Sequence, residues 1–392
     1  MKIRPKLKFK FNLNPFAKRQ KMKEAAIFLA IFFLFFGCLA WKMTLPNMLN
    51  TFMQTAYKLL LDTVFYIMAI TVMTGAISKL CVEFGVVDLL EKLLRPLMKP
   101  LYNLPGVASL GAVLTFLSDN PAIIALAKDK NFSRYFKKVQ LASLTNFGTA
   151  FGMGLVVLAF MAGLGYGSGA LVGILGAVVG SIVSTRLMQY FSLKKYPDLN
   201  VPASEENRDA VENKNVEKEK MGVFMRTLNA ILDGGKGGVE IGVAIIPGVL
   251  VISTLVMMLT FGPADGQSYA GVAYEGVPVI PWLANKIDFV FDWLFGFKFP
   301  ELIAFPITAL GAVGAALGLV PKFIANGFID NNVIAVFTAM GMCWSGYLST
   351  HTAMLDSLGY RHLISNAIKA HTIGGLVAGI FAHWFYVLIQ LF

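Results

Sequence analysis

This chain has a few polar residues inside otherwise apolar segments, and these residues are the candidates for binding a ligand or an ion. Ser118, Asp119 and Asn120 interrupt the apolar segment 107–127. A carboxylate in hydrocarbon costs about 2.5–3.5 kcal/mol even on lenient scales, so such residues are usually functional. Their oxygen atoms suit Na+ or a proton better than a transition metal. The sequence therefore predicts a cation site at Asp119 and Asn120, with Ser143 as a further oxygen ligand.

Asp119 also has a structural interpretation, which is compatible with the first. Pro121 follows three residues that favour turns and caps, and this combination breaks a helix. We therefore expect two half-helices of about ten residues, with Asp119 as an N-cap of the second.

A second polar cluster, Thr145-Asn146-Phe147-Gly148-Thr149, lies in the apolar segment 139–164. The hydrocarbon core offers no water, so such a cluster must pack on protein or face a wet cavity. Broken helix ends nearby would supply free N–H groups for polar ligand atoms and free carbonyls for a cation.

The elements that position these residues must be membrane helices. The chain of 392 residues is 56% hydrophobic and 15% charged, and its mean hydropathy is +0.64. A soluble domain of this length could not bury so much apolar surface. Seven segments approach or reach the about 20 residues that cross a bilayer. They are Ala25–Trp41, Leu59–Ile77, Val139–Leu164, Leu171–Phe191, Val239–Phe261, Val333–Ser349 and Ile373–Phe392.

The positive charges predict the orientation of the chain. Residues 1–23 hold nine Lys or Arg and no acid, which predicts a cytoplasmic N-terminus that binds anionic lipid and not nucleic acid. A cleaved signal peptide is the alternative; we expect an uncleaved first helix. If segment 107–127 crossed the membrane, the basic cluster 128–138 would lie outside. A hairpin re-entering from the cytoplasm removes that conflict.

Two similar stretches indicate an internal repeat. Leu110-Gly111-Ala112-Val113 and Leu310-Gly311-Ala312-Val313 are each followed at the same distance by a proline, Pro121 or Pro321. The second copy predicts a second hairpin, broken at Gly318-Leu319-Val320-Pro321, that enters from outside. Doubled halves with broken hydrophobic segments are typical of secondary transporters.

The predicted fold is an all-α membrane protein of about seven transmembrane helices and two re-entrant hairpins in two inverted-topology repeats. The predicted parts are a basic cytoplasmic N-terminus (1–23), an extra helix (24–48), a first repeat (49–191, hairpin near 107–127), a charged cytoplasmic linker (192–222) and a second repeat (223–392, hairpin near 306–324).

The element order resembles the core of the concentrative nucleoside transporters. Local strings are similar to the nucleoside-recognition, or Gate, domain, which also occurs in ferrous-iron transport protein B and in spore-maturation membrane proteins. These strings are Arg95-Pro96-Leu97-Met98-Lys99-Pro100-Leu101-Tyr102, Leu104-Pro105-Gly106, Ile246-Pro247-Gly248 and Phe299-Pro300-Glu301-Leu302-Ile303-Ala304-Phe305-Pro306. The resemblance covers roughly residues 50–390.

The resemblance implies a substrate site between the two hairpin tips and the unwound middles of the spans that follow them. By position, the implied residues are Ser118, Asp119, Asn120, Thr145, Asn146, Gly148, Thr149, Gly318, Leu319, Ser345, Gly346, Ser349, Thr350 and His351. For His351, a structural imidazole and a substrate contact both remain open. Phe147 and Trp344 could stack on a ring or simply pack.

Two lysine–carboxylate pairs, Lys58 with Asp62 and Lys236 with Glu240, open membrane spans at helical i,i+4 spacing. They could be simple ion pairs, or parts of a gate or proton relay.

Enzyme classes are not supported. The glycine-rich stretch 233–238 lacks phosphate-loop spacing, and neither HExxH nor GxSxG occurs. Cys38, Cys81 and Cys343 suggest neither disulfides nor a metal site. The given residues before the core contain no GTPase segment, so we expect the chain to differ from a complete iron-transport protein.

The predicted function is transport of a small polar solute, nucleoside-like or related, by alternating access across a bacterial inner membrane. No cofactor is expected, with Na+ or H+ as the candidate coupling ion. The alternatives are a non-transporting assembly or signalling partner, and a divalent-metal permease working with a separate nucleotidase. The resemblance suggests that the protein is a homo-oligomer, specifically a trimer. No residue of the sequence requires this oligomeric state.

Overall fold

The chain is a helical, multi-pass membrane protein. The computed structural model describes residues 15–203 and 222–392, and these contain no β-strand. The helices of the first part are α1 Pro15–Met43, α2 Leu45–Lys58, α3 Phe65–Glu83, α4 Val86–Leu97, α5 Ala108–Leu117, α6 Pro121–Lys128, α7 Lys130–Ser133, α8 Lys138–Thr149, α9 Gly154–Gly163 and α10 Gly167–Lys195.

The second part has the same number of helices. They are α11 Val223–Ala244, α12 Thr254–Thr260, α13 Val279–Ala284, α14 Asp288–Phe295, α15 Ala304–Gly311, α16 Val313–Leu317, α17 Val320–Ala325, α18 Asn331–Cys343, α19 Tyr347–Ser357 and α20 Ile364–Ile389. Short π-helical segments are Leu59–Val64, Met98–Tyr102 and Gly248–Ser253, and 3-10 turns are Pro197–Leu199, Pro300–Ile303 and Arg361–Leu363.

Within residues 15–203 and 222–392, seven helical segments are long and apolar enough to cross a membrane, as predicted. They are Gln20–Met43, Leu45–Glu83, Lys138–Gly163, Gly167–Lys195, Val223–Thr260, Asn331–Ser357 and Arg361–Ile389. Two of them are much longer than the sequence predicted, at 39 and 38 residues, and each contains a π-helical segment. An apolar run ends where the first polar turn begins, but a helix continues through polar residues that face solvent or a cavity.

The described chain consists of two halves with the same order of elements. Each half begins with a long helix containing a π segment, at Leu59–Val64 or Gly248–Ser253. An amphipathic segment follows, then a pair of short helices joined at an interruption, then a span broken in its middle, then one long helix. The predicted repeat is therefore present.

The halves meet along two seams, and at each seam the contacting helices belong to equivalent spans of the two halves. At the first seam, α3 packs on α11 so closely that a Cβ at Gly75 would lie 2.4 Å from the carbonyl oxygen of Gly234. At the second seam, α10 packs on α20, and a Cβ at Gly180 would lie 2.6 Å from the carbonyl oxygen of Gly374. Small residues allow this backbone contact. Contact between equivalent spans at both seams is what a pseudo-two-fold axis relating the two halves would produce.

The strings that suggested the repeat are not structurally equivalent. Leu110-Gly111-Ala112-Val113 lies within α5, whereas Leu310-Gly311-Ala312-Val313 spans the interruption between α15 and α16. The extended residue of the second hairpin is therefore Ala312. The predicted break at 318–321 is also present, as a two-residue turn between α16 and α17, with Pro321 in the first turn of α17.

Aromatic side chains pack the second hairpin against α18. The rings of Phe305 and Phe337 stack with centroids 4.0 Å apart, and Phe297 and Phe323 lie 5.6 Å and 6.1 Å from Phe337. All four are buried. In the first half, Ile123 of α6 fills the space that Gly111 of α5 and Gly148 of α8 leave open. Both helix pairs are thus held by dense apolar contacts, which fixes the positions of their tips.

Two predicted segments lie largely outside the described residues. These segments are the basic N-terminus 1–23 and the charged linker 192–222. Lys21 and Lys23, which are described, are exposed on α1.

Candidate functional site

The first hairpin is interrupted where the sequence predicted it. α5 ends at Leu117, Ser118 has non-helical angles (φ −130°, ψ −107°), and α6 begins at Pro121. The backbone N–H of Asn120 donates to Asp119 Oδ1 at 2.7 Å. No side chain caps α6, so the N-cap interpretation of Asp119 is not what the structure shows.

The second hairpin tip has no polar side chain. Ala312 takes an extended conformation (φ −165°, ψ 122°) between α15 and α16. Gly311 and Val313 flank it, so this tip offers only backbone groups and small apolar side chains.

Each broken span restarts from a residue with positive φ. Met153 (φ 55°) precedes α9, and Gly346 (φ 63°) precedes α19. The first break lies against the first tip, where a Cβ at Gly152 would come within 2.1 Å of Asn120 Oδ1. A Cβ at position 152 would therefore displace the Asn120 side chain.

Hydrogen bonds join the first tip to the second half of the chain. Asn120 Nδ2 donates to the carbonyl oxygen of Ser345 at 2.6 Å and to Thr350 Oγ1 at 3.2 Å. Asn120 is only 7% exposed, so both bonds are shielded from water. The first tip and the break between α18 and α19 thus form one connected unit, which we call the tip–break clamp.

The two tips and the two breaks enclose a cavity of about 780 Å³. The α11 face completes its wall. The lining residues are Ser118, Asp119, Asn120, Pro121, Ala122, Ile124, Met153, Gly237, Glu240, Ile241, Ala244, Ile245, Gly248, Gly311, Ala312, Val313, Gly314, Ala315, Ser345, Gly346, Ser349, Thr350 and Ala353.

Seven predicted substrate residues therefore line one cavity. They are Ser118, Asp119, Asn120, Ser345, Gly346, Ser349 and Thr350. They come from α5–α6 and from α18–α19, segments more than two hundred residues apart in sequence.

The polar cluster of α8 lies in helix packing beside the cavity. Asn146 Nδ2 donates to Ser184 Oγ and to the carbonyl oxygen of Ala367, both at 2.9 Å. Thr149 Oγ1 donates to the carbonyl oxygen of Thr145 at 2.7 Å, and Gly148 packs on Ile123. These four predicted residues, Thr145 included, do not line the cavity.

The remaining predicted residues are also away from the cavity wall. Gly318 packs near Ser253, and Leu319 is fully buried. Ser143 donates to the carbonyl oxygen of Gln140 and accepts from Gln189 Nε2 at 3.1 Å. It is therefore engaged elsewhere than at the Asp119 tip.

His351 is fully buried, and its ring lies 4.6 Å from that of His371. His371 is anchored by Ser184 Oγ at 2.7 Å and by the carbonyl oxygen of Cys343 at 2.5 Å. Phe147 and Trp344 pack in the core, on Tyr102 and Tyr347 respectively. His371 and His383 have separate partners, since His383 Nδ1 lies 2.8 Å from Asn332 Oδ1.

The cavity contains one charged residue that the site prediction left out. Glu240 of α11 faces it and is exposed. No ion pair joins Glu240 to Lys236, or Lys58 to Asp62, in the described part of the chain. Because the predicted span began at Val239, Glu240 was assigned to a membrane edge. The signal that could have placed it is the helical continuity from Val223.

A second cavity of about 540 Å³ adjoins the first between α3, α5–α6 and α11. Ser118, Ala122, Gly237 and Ile241 line both cavities. The second cavity continues to Lys79, Asp129 and Asp233.

Comparison with known proteins agrees with this architecture. Residues 63–165 match the Gate family model, described as nucleoside recognition. Two structures of the transporter CNTnw are similar over nearly the whole chain. An outward-facing double variant has a TM-score of 0.54 at 15% identity, covering 96% of this chain and 87% of that one. An inward-facing substrate-bound form has a TM-score of 0.53 at 14% identity, covering 95% and 87%.

The chain has the fold of the concentrative nucleoside transporters. An uncharacterized protein of Alkalihalophilus pseudofirmus is 25% identical over 293 residues. That match covers 70% of this chain and 57% of the relative, so it spans little more than half of the relative's length.

Proposed function

We propose that this protein is a membrane transporter that moves a small polar solute by alternating access. The observation that carries the proposal is the cavity where two tips and two broken spans converge. Interrupted helices at a repeat interface supply unpaired backbone groups near the middle of a membrane, and solute sites are built from them. The Gate match and the shared fold support the same function.

The two-fold arrangement supports alternating access. Because the halves are equivalent in fold, exchanging their conformations would close the cavity on one side and open it on the other. In the present conformation the cavity runs from the tips to Ile124 and Ala353, and the adjoining cavity reaches Lys79. With the orientation predicted from the basic residues, that side is the cytoplasm. The described conformation is then the inward-open one.

A coupling ion at the first tip is part of the proposal. Asp119 has no ion-pair partner in the described residues, and Asn120 Oδ1 is buried without a hydrogen-bond partner. Carboxylate and amide oxygens suit Na+ and, for the carboxylate, a proton. Among the described residues, no group of three His, Cys, Asp or Glu is arranged to hold a metal ion, so we do not propose a metal cargo.

Transport is tested by uptake into proteoliposomes containing the purified full chain. The solutes are nucleosides, nucleobases, small acids and small amines, each with an inward Na+ gradient, an inward proton gradient or neither. We expect saturable uptake of at least one class, slowed at least about tenfold by Asp119→Asn, since a tenfold loss corresponds to about 1.4 kcal/mol.

The matched control is Asp288→Asn. Asp288 is exposed on α14, and its Oδ1 accepts the N–H of the next residue at 2.8 Å, as Asp119 does. This variant should transport normally.

Solute binding is tested independently by labelling. Ser349 is exposed in the cavity, so Ser349→Cys should react with a soluble maleimide after Cys38 and Cys81 are replaced by serine. The transported solute should slow this reaction. A folded protein that shows neither uptake nor protection with any solute would contradict the proposal and favour the assembly-partner alternative.

A further inference from the structure

The charge in the cavity is of one sign. Asp119 and Glu240 line it from α5–α6 and from α11, and no Lys, Arg or His lines it in the described chain. An anionic solute would bring a third negative charge into a site without a counter-charge, which the surrounding low-dielectric protein makes unfavourable.

Among the described residues, Glu240 in particular has no ion-pair partner. The nearest candidate in sequence, Lys236, forms no ion pair with it in the described part of the chain. Its neighbours on the cavity face of α11 are Gly237, Ile241 and Ala244. An ionisable residue inside a membrane span that faces a cavity is expected to be functional.

Asn120 follows Asp119 at the first tip and lines the same cavity. Asn120 is 7% exposed and its Oδ1 atom has no hydrogen-bond partner, although its Nδ2 atom makes two bonds. A buried acceptor left unpaired costs about 1–3 kcal/mol. Oδ1 lies against Gly152, so only a movement of the first tip would bring a donor or cation to it and relieve that cost.

The rest of the lining argues against recognition of a base by stacking. No aromatic residue lines the cavity in the described chain; its apolar surface comes from Gly, Ala, Val, Ile, Pro and Met side chains. Base recognition commonly uses an aromatic face, whereas small aliphatic side chains suit alkyl groups.

The adjoining cavity continues the same polarity. It is lined by Asp129 and Asp233 with one lysine, Lys79. Carboxylates along a route concentrate cations on it.

We propose that the transported solute carries a positive charge, as an amine or a quaternary ammonium, and that Asp119 and Glu240 bind that charge. This inference rests on the proposed function and specifies its substrate class.

The test compares cations with uncharged molecules of the same shape. The probes are choline against 3,3-dimethylbutan-1-ol, and 1-methyladenosine against adenosine. Binding is read from the melting temperature of the detergent-purified full chain, because a ligand of the folded state raises it by mass action. Each probe is titrated in Na+ buffer and in K+ buffer, so that an effect of Na+ itself is seen separately.

We expect the cation of at least one pair to raise the melting temperature at concentrations at least about tenfold lower than its neutral counterpart. Glu240→Gln should abolish this preference, and Glu240→Asp, which keeps the charge, should retain it. Glu24→Gln is the matched control, since Glu24 is an exposed glutamate of α1 that lines neither cavity.

The remaining outcomes overturn the inference in distinguishable ways. Equal shifts from cation and neutral partner, shifts with uncharged nucleosides or anions only, or unchanged choline binding in Glu240→Gln would refute the charge assignment and leave transport intact. A response to Na+ alone would assign the carboxylates to a coupling ion. No shift with any probe, together with no uptake of any solute, would refute the proposed function as well.

Discussion

The two hairpin tips occupy equivalent places in the repeat but differ in chemistry. The first tip carries Ser118, Asp119 and Asn120, while the second consists of Gly311, Ala312 and Val313. The two breaks also differ in polarity, but here the second is the polar one. Around the first, Ala150 and Met153 are buried, whereas the second presents Ser345, Ser349 and Thr350 to the cavity.

The hydrogen bonds join the two polar regions, the first tip and the second break. The polar first tip bonds to the polar second break through Asn120. Within the described residues, no hydrogen bond joins the second tip to the first break. The fold is therefore symmetric where helices pack and asymmetric where a solute would bind. One tip supplies charge and hydrogen bonds, and the other supplies only backbone groups and small apolar side chains.

The largest effect is expected at the symmetric part, the seam between α3 and α11. In Gly234→Ala the new Cβ would lie 2.3 Å from the carbonyl oxygen of Gly75, and backbone cannot yield as a side-chain end can. We expect destabilisation of about 3 kcal/mol, seen as a lower melting temperature and poor yield.

Gly235→Ala is the control one residue away. Its Cβ would meet only Val72 Cγ1, at 3.6 Å, an ordinary contact. Alanine also favours a helix over glycine by about 1 kcal/mol, so this variant should be as stable as the parent or more so. Equal losses in both variants would show that the seam is looser than described.

A smaller effect, specific to the asymmetric part, is expected from Asn120→Ala. The substitution leaves the carbonyl oxygen of Ser345 and Thr350 Oγ1 without their donor, at a cost of about 2 kcal/mol. It also releases the tip–break clamp, so solute protection of Ser349→Cys should be lost.

Asn332→Ala separates these two consequences. Asn332 is 8% exposed, donates to the carbonyl oxygen of Phe295 at 3.1 Å and pairs with His383, away from the cavity. We expect a similar loss of stability without loss of solute protection. If Asn120→Ala destabilised the protein but still allowed protection, the clamp would have no role in binding.

The sequence predicted the first tip because its residues carry local signals. Pro121 and the preceding cap-forming residues break a helix by their own stereochemistry, and α5 ends there. Ala312 carries no such signal, since alanine favours a helix, so its extended conformation is set by tertiary packing. Pro321 marks a milder interruption, because Gly318 and Leu319 keep helical angles between α16 and α17, whereas Ala312 is extended.

The candidate site shows the same limit. Thr145, Asn146 and Thr149 were expected to face either a cavity or protein, and no local pattern distinguishes the two; neighbouring helices decide it. Glu240 was assigned to a membrane edge because an apolar run cannot show that a helix continues through Asp233 and Lys236. Charges on one face of a helix could be seen in sequence, whereas the cavity opposite them could not.

The smallest effect is expected in the loop 262–278, which follows α12 and has no counterpart in the first half. Two carboxylates hold it. Glu275 is fully buried and accepts backbone N–H groups of Ala264, Ala270, Gly271 and Val272. Asp265 is on the surface, where backbone N–H groups and the hydroxyl of Ser268 lower the pKa of its carboxyl.

A lowered pKa in the folded state means that the Asp265 carboxylate contributes stability above its ordinary pKa of about 3.9. That contribution is lost as the pH falls through the lower, folded-state value. Asp265→Ala should therefore reduce the melting temperature slightly at neutral pH, and this difference should shrink in acid. Glu275→Gln should cost more, since a buried group loses charge-assisted bonds. A larger loss of melting temperature from Asp265→Ala than from Glu275→Gln would mean that surface hydrogen bonds, and not the buried carboxylate, hold the loop. The contrast between this structural loop and the solute-binding first tip would then need revision.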